Sequence, residues 1–538
     1  MREKMSASVM TFLLLSVSLT LLTGILPAQG RPDWIDGRPD CCTCISVGCK
    51  ASADGWVTTS HTCDSTRTRS WLDITPARDH EPGTMKILLK RGKDDSKAMP
   101  KYRYDRTGEI PEVPHTHGYI NTAYPCMNDH QLAIGESTFG GRDELRSKKG
   151  LIDCQQLVEL MLERATTARE AIRLAGVLTE KYGYNDAGEC LTVADTREVW
   201  HLEMVGPGKG KVGSVWAAQR VPDGHISVCA NASRIRHIDI SNSDFFMASK
   251  NVFTVAQEHG WWKPEAGPFE FCYAYDPKGR ASFAARRREW RVFDLLAPSC
   301  GRDANAENHP FSVKPDRPVT MPQLVSVFQD FYEGTEYDHI KNITCTDKKG
   351  KTVISPLANP FMPYDMMPLF NINGGWGGRG ERTLARWYTM YATLTQSRAS
   401  LPDAIGGVVW LALDNVASSV YVPLYCGITD LPASYKTPGR TGGFTRDSAW
   451  WAFNRAGTLA AQRWGDMRKE VEATWKPIQS EMFRNQKKFE KEALALWKSH
   501  PEKVRDLLTG YSSGWCKKAV ALAWKLGDLL WTRYDGKF

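Results

Sequence analysis

Apolar and β-branched positions cluster first at Ile45 to Val47, and after an Ala53-Asp54-Gly55 turn a Thr/Val-rich run follows. This pattern predicts a hairpin, because such runs suit strands and Asp54-Gly55 supplies a two-residue turn tolerant of positive φ. Asp79 to Pro114, rich in Pro, Gly and mixed charge, reads as a loop. From Tyr119 to Thr138 the pattern gives a strand ending at Tyr124, a turn at Met127 to His130 and a strand from Leu132 to Glu136. Gly150 to Tyr184 switches to helical period. Asp153 can cap a helix whose Leu157, Leu160 and Met161 share a face, and Thr167 with Glu170 forms a capping box for a second carrying Ile172, Leu174 and Leu178. Strands resume at Glu198 to Met204, Val215 to Gln219 and Ile226 to Cys229, the last two joined by the Pro222-Asp223-Gly224 turn. Ala404 to Leu413 and Val420 to Tyr425 form a further hairpin around Asp414-Asn415, and Ala449 to Trp531 is strongly helical. Strands, a helix pair, strands again and terminal helices imply an α+β chain with two antiparallel sheets between helical layers.

Composition narrows the class. Apolar residues at 42% and charged residues at 24% are those of a globular protein, and 538 residues accommodate one large domain with an appended piece. Nineteen tryptophans point to a large aromatic core. The net charge of +8 is spread without a dense Lys/Arg stripe, so nucleic acid is set aside as a partner. Arg2 and Lys4 precede an apolar segment around Thr11 to Leu26 and then Ala28-Gln29-Gly30, which reads as a secretory signal peptide over residues 1–30. No second membrane-length apolar segment follows, so stable membrane insertion after signal removal is not expected, and the chain is expected to be secreted or lumenal. Residues 31–41, rich in Pro and Asp, read as a propeptide. Disulfides are permissible on that route, and losing Cys41 with the propeptide leaves 13 of 14 cysteines, one free and 12 for pairing. Gly377 to Arg382 lacks the Gly-Lys-Ser/Thr of a nucleotide loop.

The chemistry concentrates at Cys42. The series Cys42-Thr43-x-Ile45-x-Val47-Gly48-x-Lys50-Ala51-Ser52-x-Asp54-Gly55, with Asp64 beyond it, resembles the start of the mature dipeptidase family of N-terminal-nucleophile cysteine hydrolases. These are relatives of the penicillin V acylases and bile salt hydrolases. The resemblance continues through the Met127-Asn128-Asp129 turn, Ala230-Asn231-x-x-Arg234-Ile235, Gly406-Gly407-Val408-x-Trp410 and Pro423-x-Tyr425, and fades past about Met482. It implies an αββα sandwich over residues 42–445, with residues 446–538 as a C-terminal helical extension. It also implies Cys42 as nucleophile and Asp64 as the carboxylate that holds its α-amine. Asn231 is the candidate oxyanion donor, although Asn231-Ala232-Ser233 is also a glycosylation sequon; a glycan is expected instead at Asn342-Ile343-Thr344. His61 stands where the acylases carry an arginine, and Asn128 and Ser137-Thr138 are placed near the site.

Cutting between Cys41 and Cys42 gives one residue both a thiol and an α-amine, with reference pKa values of roughly 8.5 and 8. The neutral amine can take the thiol proton directly or through water. The thiolate attacks an amide carbonyl, the amine returns the proton to the leaving nitrogen, and water hydrolyses the thioester. Before the cut that nitrogen is an amide and no base, so the precursor should be inactive. No metal or cofactor is required, and no metal-ligand cluster is apparent. The reading is a cysteine-type dipeptidase acting on small peptides. An acylase of a non-peptide amide and a non-catalytic, secernin-like relative are its alternatives, and a homo-oligomer stays open.

Overall fold

In the computed structural model the structure describes residues 41–65, 68–92, 103–361 and 382–537. The expected signal peptide, nearly all of the propeptide, and Gly377 to Glu381 of the Gly/Arg loop lie outside the described residues.

The strand Cys41–Val47 pairs antiparallel with Ser60–Asp64 on one side, Cys42 opposite Cys63, and with Ile226–Cys229 on the other, Cys44 opposite Cys229. It is therefore an interior strand of a seven-stranded sheet, ordered Ser312–Val313, Ile226–Cys229, Cys41–Val47, Ser60–Asp64, Thr389–Gln396, Val408–Leu413, Val422–Tyr425. Asp54-Gly55 is an exposed turn with Gly55 at φ 75°, but it lies within a longer connection, residues 48–59, closed by a bridge between Val47 and Thr58. An eight-stranded sheet faces the first, in the order Phe246–Ala248, Val215–Val221, Val199–Val205, Gly188–Ala194, Ala133–Gly140, Met127–Asn128, Tyr119–Asn121, Asp73–Thr75. Pro222-Asp223-Gly224 carries the chain from the second sheet into the first.

Close approach of the sheets is set by small residues beside the nucleophile. A Cβ on Gly135 would stand 2.2 Å from the Ser60 carbonyl oxygen, and Thr59 and Thr192 share a hydroxyl contact between the sheets. Both helices read from the sequence cover the outer face of the eight-stranded sheet. Cys154–Arg164 is capped by Asp153, which accepts from Gln156 N at 2.8 Å, and Ala168–Tyr182 by Thr167, which accepts from Glu170 N. The second capping box is only half formed, because the Glu170 carboxylate accepts from Thr166. Against the seven-stranded sheet pack Ala449–Gln462, Trp464–Ser499 and Val504–Tyr534. Helix, sheet, sheet and helix layers make the α+β αββα sandwich, and Trp56, Trp200, Trp410 and Trp450 are fully buried in it. No helix among the described residues is long and apolar enough to cross a membrane.

Three expectations are corrected. Residues 79–114 hold an antiparallel ribbon, Met85–Arg91 with Tyr104–Pro111, where the sequence reads as a loop. The ribbon buries little beyond Leu88 and Ile110 and exposes Met85, Ile87 and Leu89, so its polar partners blur the alternation. The strand expected from Ala404 begins at Val408, since Asp403–Gly406 is a helical turn after Pro402. Among the described residues no disulfide joins the cysteines from Cys42 onward, and most of them are buried as small apolar residues.

Candidate active site

Strand alternation turns Cys42 and Cys44 toward the second sheet, where Ala133–Gly140 presents Glu136. Cys42 is fully buried; its Sγ donates to Glu136 Oε2 at 3.1 Å, and Cys44 Sγ donates to the Glu136 carbonyl at 2.9 Å. His61 Nε2, one strand over, lies 3.4 Å from the same Oε2, its ring held edge-on by Tyr124 and Tyr391. Thr138 Oγ1 donates to the other oxygen, Glu136 Oε1, at 2.9 Å. Burial alone would raise the Glu136 acid, but the neighbouring His61 and Glu189 side chains and the Cys42 thiol outweigh it and bring the carboxyl down to about 2. Glu189, buried beside that anion, is pushed well up and holds a proton. Burial first and the Glu136 charge second push the Cys42 thiol well up, so the sulfur of the full-length chain is protonated.

The other end of Cys42 is held by groups distant in sequence. Cys42 N donates to Asn231 Oδ1 at 3.2 Å. Arg288, fully buried on the helix Phe283–Leu296, donates to four acceptors around it: Cys42 O at 3.0 Å, Thr43 Oγ1 at 2.8 Å, Ala230 O at 2.9 Å and Asn231 Oδ1 at 2.8 Å. Ser137 Oγ donates to Cys42 O at 3.3 Å and accepts from Asn231 N at 2.9 Å. Asn231 itself is at φ 61°, the left-handed conformation that asparagine tolerates, which swings its amide back over the nucleophile strand.

The structure brings Cys42, Asp64 and Asn231 to one locus, with a different disposition of the last. Asn231 aims its oxygen at Cys42 N, and its Nδ2 donates to Thr138 O at 2.7 Å, so one of the two N–H donors expected for an oxyanion is engaged within the chain. Both ends of that amide are used, whereas Asn342 of the second sequon is exposed. Asp64 is buried opposite Cys41; Thr389 Oγ1 donates to its Oδ1 at 2.7 Å, and its Oδ2 has no hydrogen-bond partner among the described residues. Asn128 uses its whole amide to build the turn: Nδ2 donates to Leu162 O and Ala165 O, and Oδ1 accepts from His130 N and Leu132 N.

Sequence reasoning missed Arg288 and Glu136. Arg288 sits in a run of arginines in which no motif singles it out, and Glu136 only closes the strand expected from Leu132. It also gave no sign of side-chain groups that could hold a metal. Among the described residues the fold assembles Cys42 with His61 and Glu136, Glu136 with Cys154 and Glu189, and His117 with Asp129 and His130. The spacing of these residues along the chain hides all three.

A buried thiol on an interior strand of an αββα sandwich, with its own backbone nitrogen held by the Asn231 side chain, defines the class as a cysteine hydrolase. Sequence comparison gives the family: the model of peptidase family C69 matches residues 41–477, and the chain belongs to that family. A protein named probable dipeptidase from Salmonella dublin is 25% identical over 419 residues, covering 73% of this chain and 82% of its own length. Probable dipeptidase B of Lactococcus lactis subsp. lactis is 25% identical over 466 residues, 83% of this chain and 88% of its own. Dipeptidase A of Lactobacillus helveticus is 22% identical over 420 residues, 76% and 80% of the two chains.

Proposed function

We propose that the chain is a cysteine dipeptidase whose nucleophile and base both belong to Cys42 once the bond after Cys41 is cut. The observation that carries this reading is the pairing of a buried thiol with a backbone nitrogen already held at 3.2 Å by Asn231 Oδ1. In the full-length chain that nitrogen is a peptide N–H standing in for the α-amine, and the thiol is neutral. Cleavage converts it to an amine that can take the sulfur proton. Asp64 is the register partner of Cys41, so its unpartnered Oδ2 lies beside the place where the new terminus forms and can accept from the α-ammonium. Glu136 is a poor acceptor for the thiol proton, its carboxyl lying near 2, which leaves the amine as the base. Arg288 and Ser137 fix the Cys42 carbonyl and hence the direction of the sulfur. Asn231 serves as an oxyanion donor by exchanging the Thr138 carbonyl for the substrate oxygen, a contact worth about 3 kcal/mol in the transition state.

The leader composition supports a secreted or lumenal precursor, inactive until residues 31–41 are removed. N-terminal sequencing of the mature chain together with Cys42→Ser and Cys42→Ala tests the whole reading. Mature wild type should begin at Cys42 and release free amino acids from dipeptides. The serine variant should be steeply slower, because its hydroxyl is far less readily deprotonated than a thiol, and the alanine variant should be at background. Near-normal hydrolysis by a folded Cys42→Ala chain, or an active enzyme still carrying residues 31–41, would overturn it.

A further inference from the structure

Away from the Cys42 cluster, the His115-Thr116-His117 segment meets the Asp129-His130 turn in an arrangement the peptidase chemistry does not use. Asp129 Oδ1 lies 4.0 Å from His117 Nδ1 and 4.0 Å from His130 Nε2. That oxygen is buried and has no hydrogen-bond partner among the described residues, while Oδ2 faces Arg505 at 3.9 Å. The two imidazoles meet edge to face with centroids 4.5 Å apart, and the three ligand atoms all fall within 4.8 Å of one another. Backbone bonds hold both segments in register: His117 N donates to Glu163 O and Asp129 N to Gly118 O, each at 2.8 Å.

His130 Nδ1 lies 3.3 Å from Asp403 Oδ2, and Gln131 Nε2 fixes the other oxygen of that carboxylate at 2.9 Å. A carboxylate on Nδ1 places the proton there and turns the Nε2 lone pair toward Asp129. This carboxylate–imidazole relay is the outer support that metal-ligating histidines ordinarily have.

We propose that His117 Nδ1, His130 Nε2 and Asp129 Oδ1 bind one Zn2+ ion, with Asp403 orienting His130. Imidazole nitrogen with a single carboxylate selects Zn2+ over Mg2+ or Ca2+, which prefer all-oxygen shells. Tetrahedral Zn2+ with bonds of about 2.0–2.2 Å needs ligand atoms roughly 3.3–3.6 Å apart. The 4.0 Å gaps close by about half an ångström, and closing them breaks no hydrogen bond at Asp129 Oδ1. His130 is 42% exposed, giving the ion a route in and water a route to the fourth position. The bound ion ties the segment before Tyr119–Asn121 to the turn built by Asn128, and through Asp403 to the seven-stranded side of the sandwich.

The test is a Co2+ titration of the full chain carrying Cys42→Ala, which removes the active-site thiol, followed by displacement with Zn2+. One equivalent should bind with visible d–d absorption and no sulfur-to-cobalt charge-transfer band. Zn2+ should raise the melting temperature by a few degrees at saturation. Asp129→Asn and the half-exposed His130→Gln, each checked for a native circular dichroism spectrum, should lose at least tenfold in affinity and lose the thermal shift. A thiolate charge-transfer band, unchanged affinity in either folded variant, or no binding of either metal would overturn the proposal.

Discussion

Replacing Arg288 separates the support of the nucleophile from its chemistry. The guanidinium is fully buried and serves four acceptors on two segments, Cys42 O, Thr43 Oγ1, Ala230 O and Asn231 Oδ1. In Arg288→Ala, Cys42 O keeps its bond from Ser137 and Asn231 Oδ1 keeps its bond from Cys42 N, but Ala230 O and Thr43 Oγ1 lose the donor. Each buried acceptor left without a donor costs about 1–3 kcal/mol, and the vacated volume adds to this, so the loss is roughly 3–6 kcal/mol. Arg288→Lys keeps the charge but cannot span both acceptor pairs with one ammonium, so it should fold with a smaller loss. Its defect should appear in turnover: displacing a reacting atom by about 1 Å costs on the order of a hundredfold. Urea denaturation of both variants and kcat on a dipeptide, with the mature N-terminus verified for each, measure the two effects. Wild-type kcat in Arg288→Lys, or wild-type stability in Arg288→Ala, would refute the assignment of Arg288 as the clamp on Cys42.

Gly135→Ala should lower stability sharply or abolish soluble expression, because its Cβ meets the Ser60 backbone at 2.2 Å across the sheet interface; a melting temperature equal to wild type would show that the sheets can part there. His201, fully buried and bonded to Ser46 Oγ, is held down to about 3 by burial and by Arg234. Its folded value lies below its unfolded one, so the stability it contributes is full above about pH 6.5 and drains away as the pH falls toward 3. His201→Gln should therefore lose stability less steeply than wild type below pH 6.5 in denaturation series, and parallel curves would contradict the assignment. At room temperature EDTA should leave hydrolysis intact and iodoacetamide should abolish it, whereas loss of activity to the chelator alone would point to metal-dependent peptidase chemistry.

What the sequence disclosed depended on how local each signal is. The first strand pair, the caps Asp153 and Thr167 and the terminal helices each carry their evidence within a few residues, and the structure realises them, although the first pair is joined over residues 48–59 and not by a two-residue turn. Asp64 was placed by its motif, because it lies only one strand from Cys42. Arg288 was not legible, since it stands among Arg286, Arg287 and Arg291 on a helix whose buried face is fixed by contacts some 246 residues away in the chain. Glu136 was hidden in the same way: a carboxylate inside an apolar strand becomes intelligible only when His61, Thr138 and the Cys42 thiol are seen around it. The direction of the Asn231 amide depends on its left-handed backbone, which nothing in its neighbours' identities dictates.

The C-terminal helices show where likeness to a family and the physical unit part. The family match ends at residue 477, inside the single helix Trp464–Ser499. Beyond that point Gln486 Nε2 donates to Gln396 Oε1 at 2.9 Å, Tyr425 OH donates to Glu490 Oε1 at 3.1 Å, and Arg398 pairs with Glu490 at 2.7 Å, all buried against the seven-stranded sheet. Val504–Tyr534 then lies along Val422–Tyr425, the edge strand of that sheet, which would otherwise present unpaired backbone to other chains. It buries Leu508, Trp515, Leu526 and Leu530 in the main core. At about 1.5–3 kcal/mol for each large apolar side chain, these four alone contribute roughly 6–12 kcal/mol. That equals most or all of the roughly 5–15 kcal/mol by which a folded domain is ordinarily stable. Residues past 477 are therefore part of the cooperative unit that holds Cys42, and a chain stopped at the family boundary keeps Ala449–Gln462 but loses the rest of the outer layer on the nucleophile's own sheet.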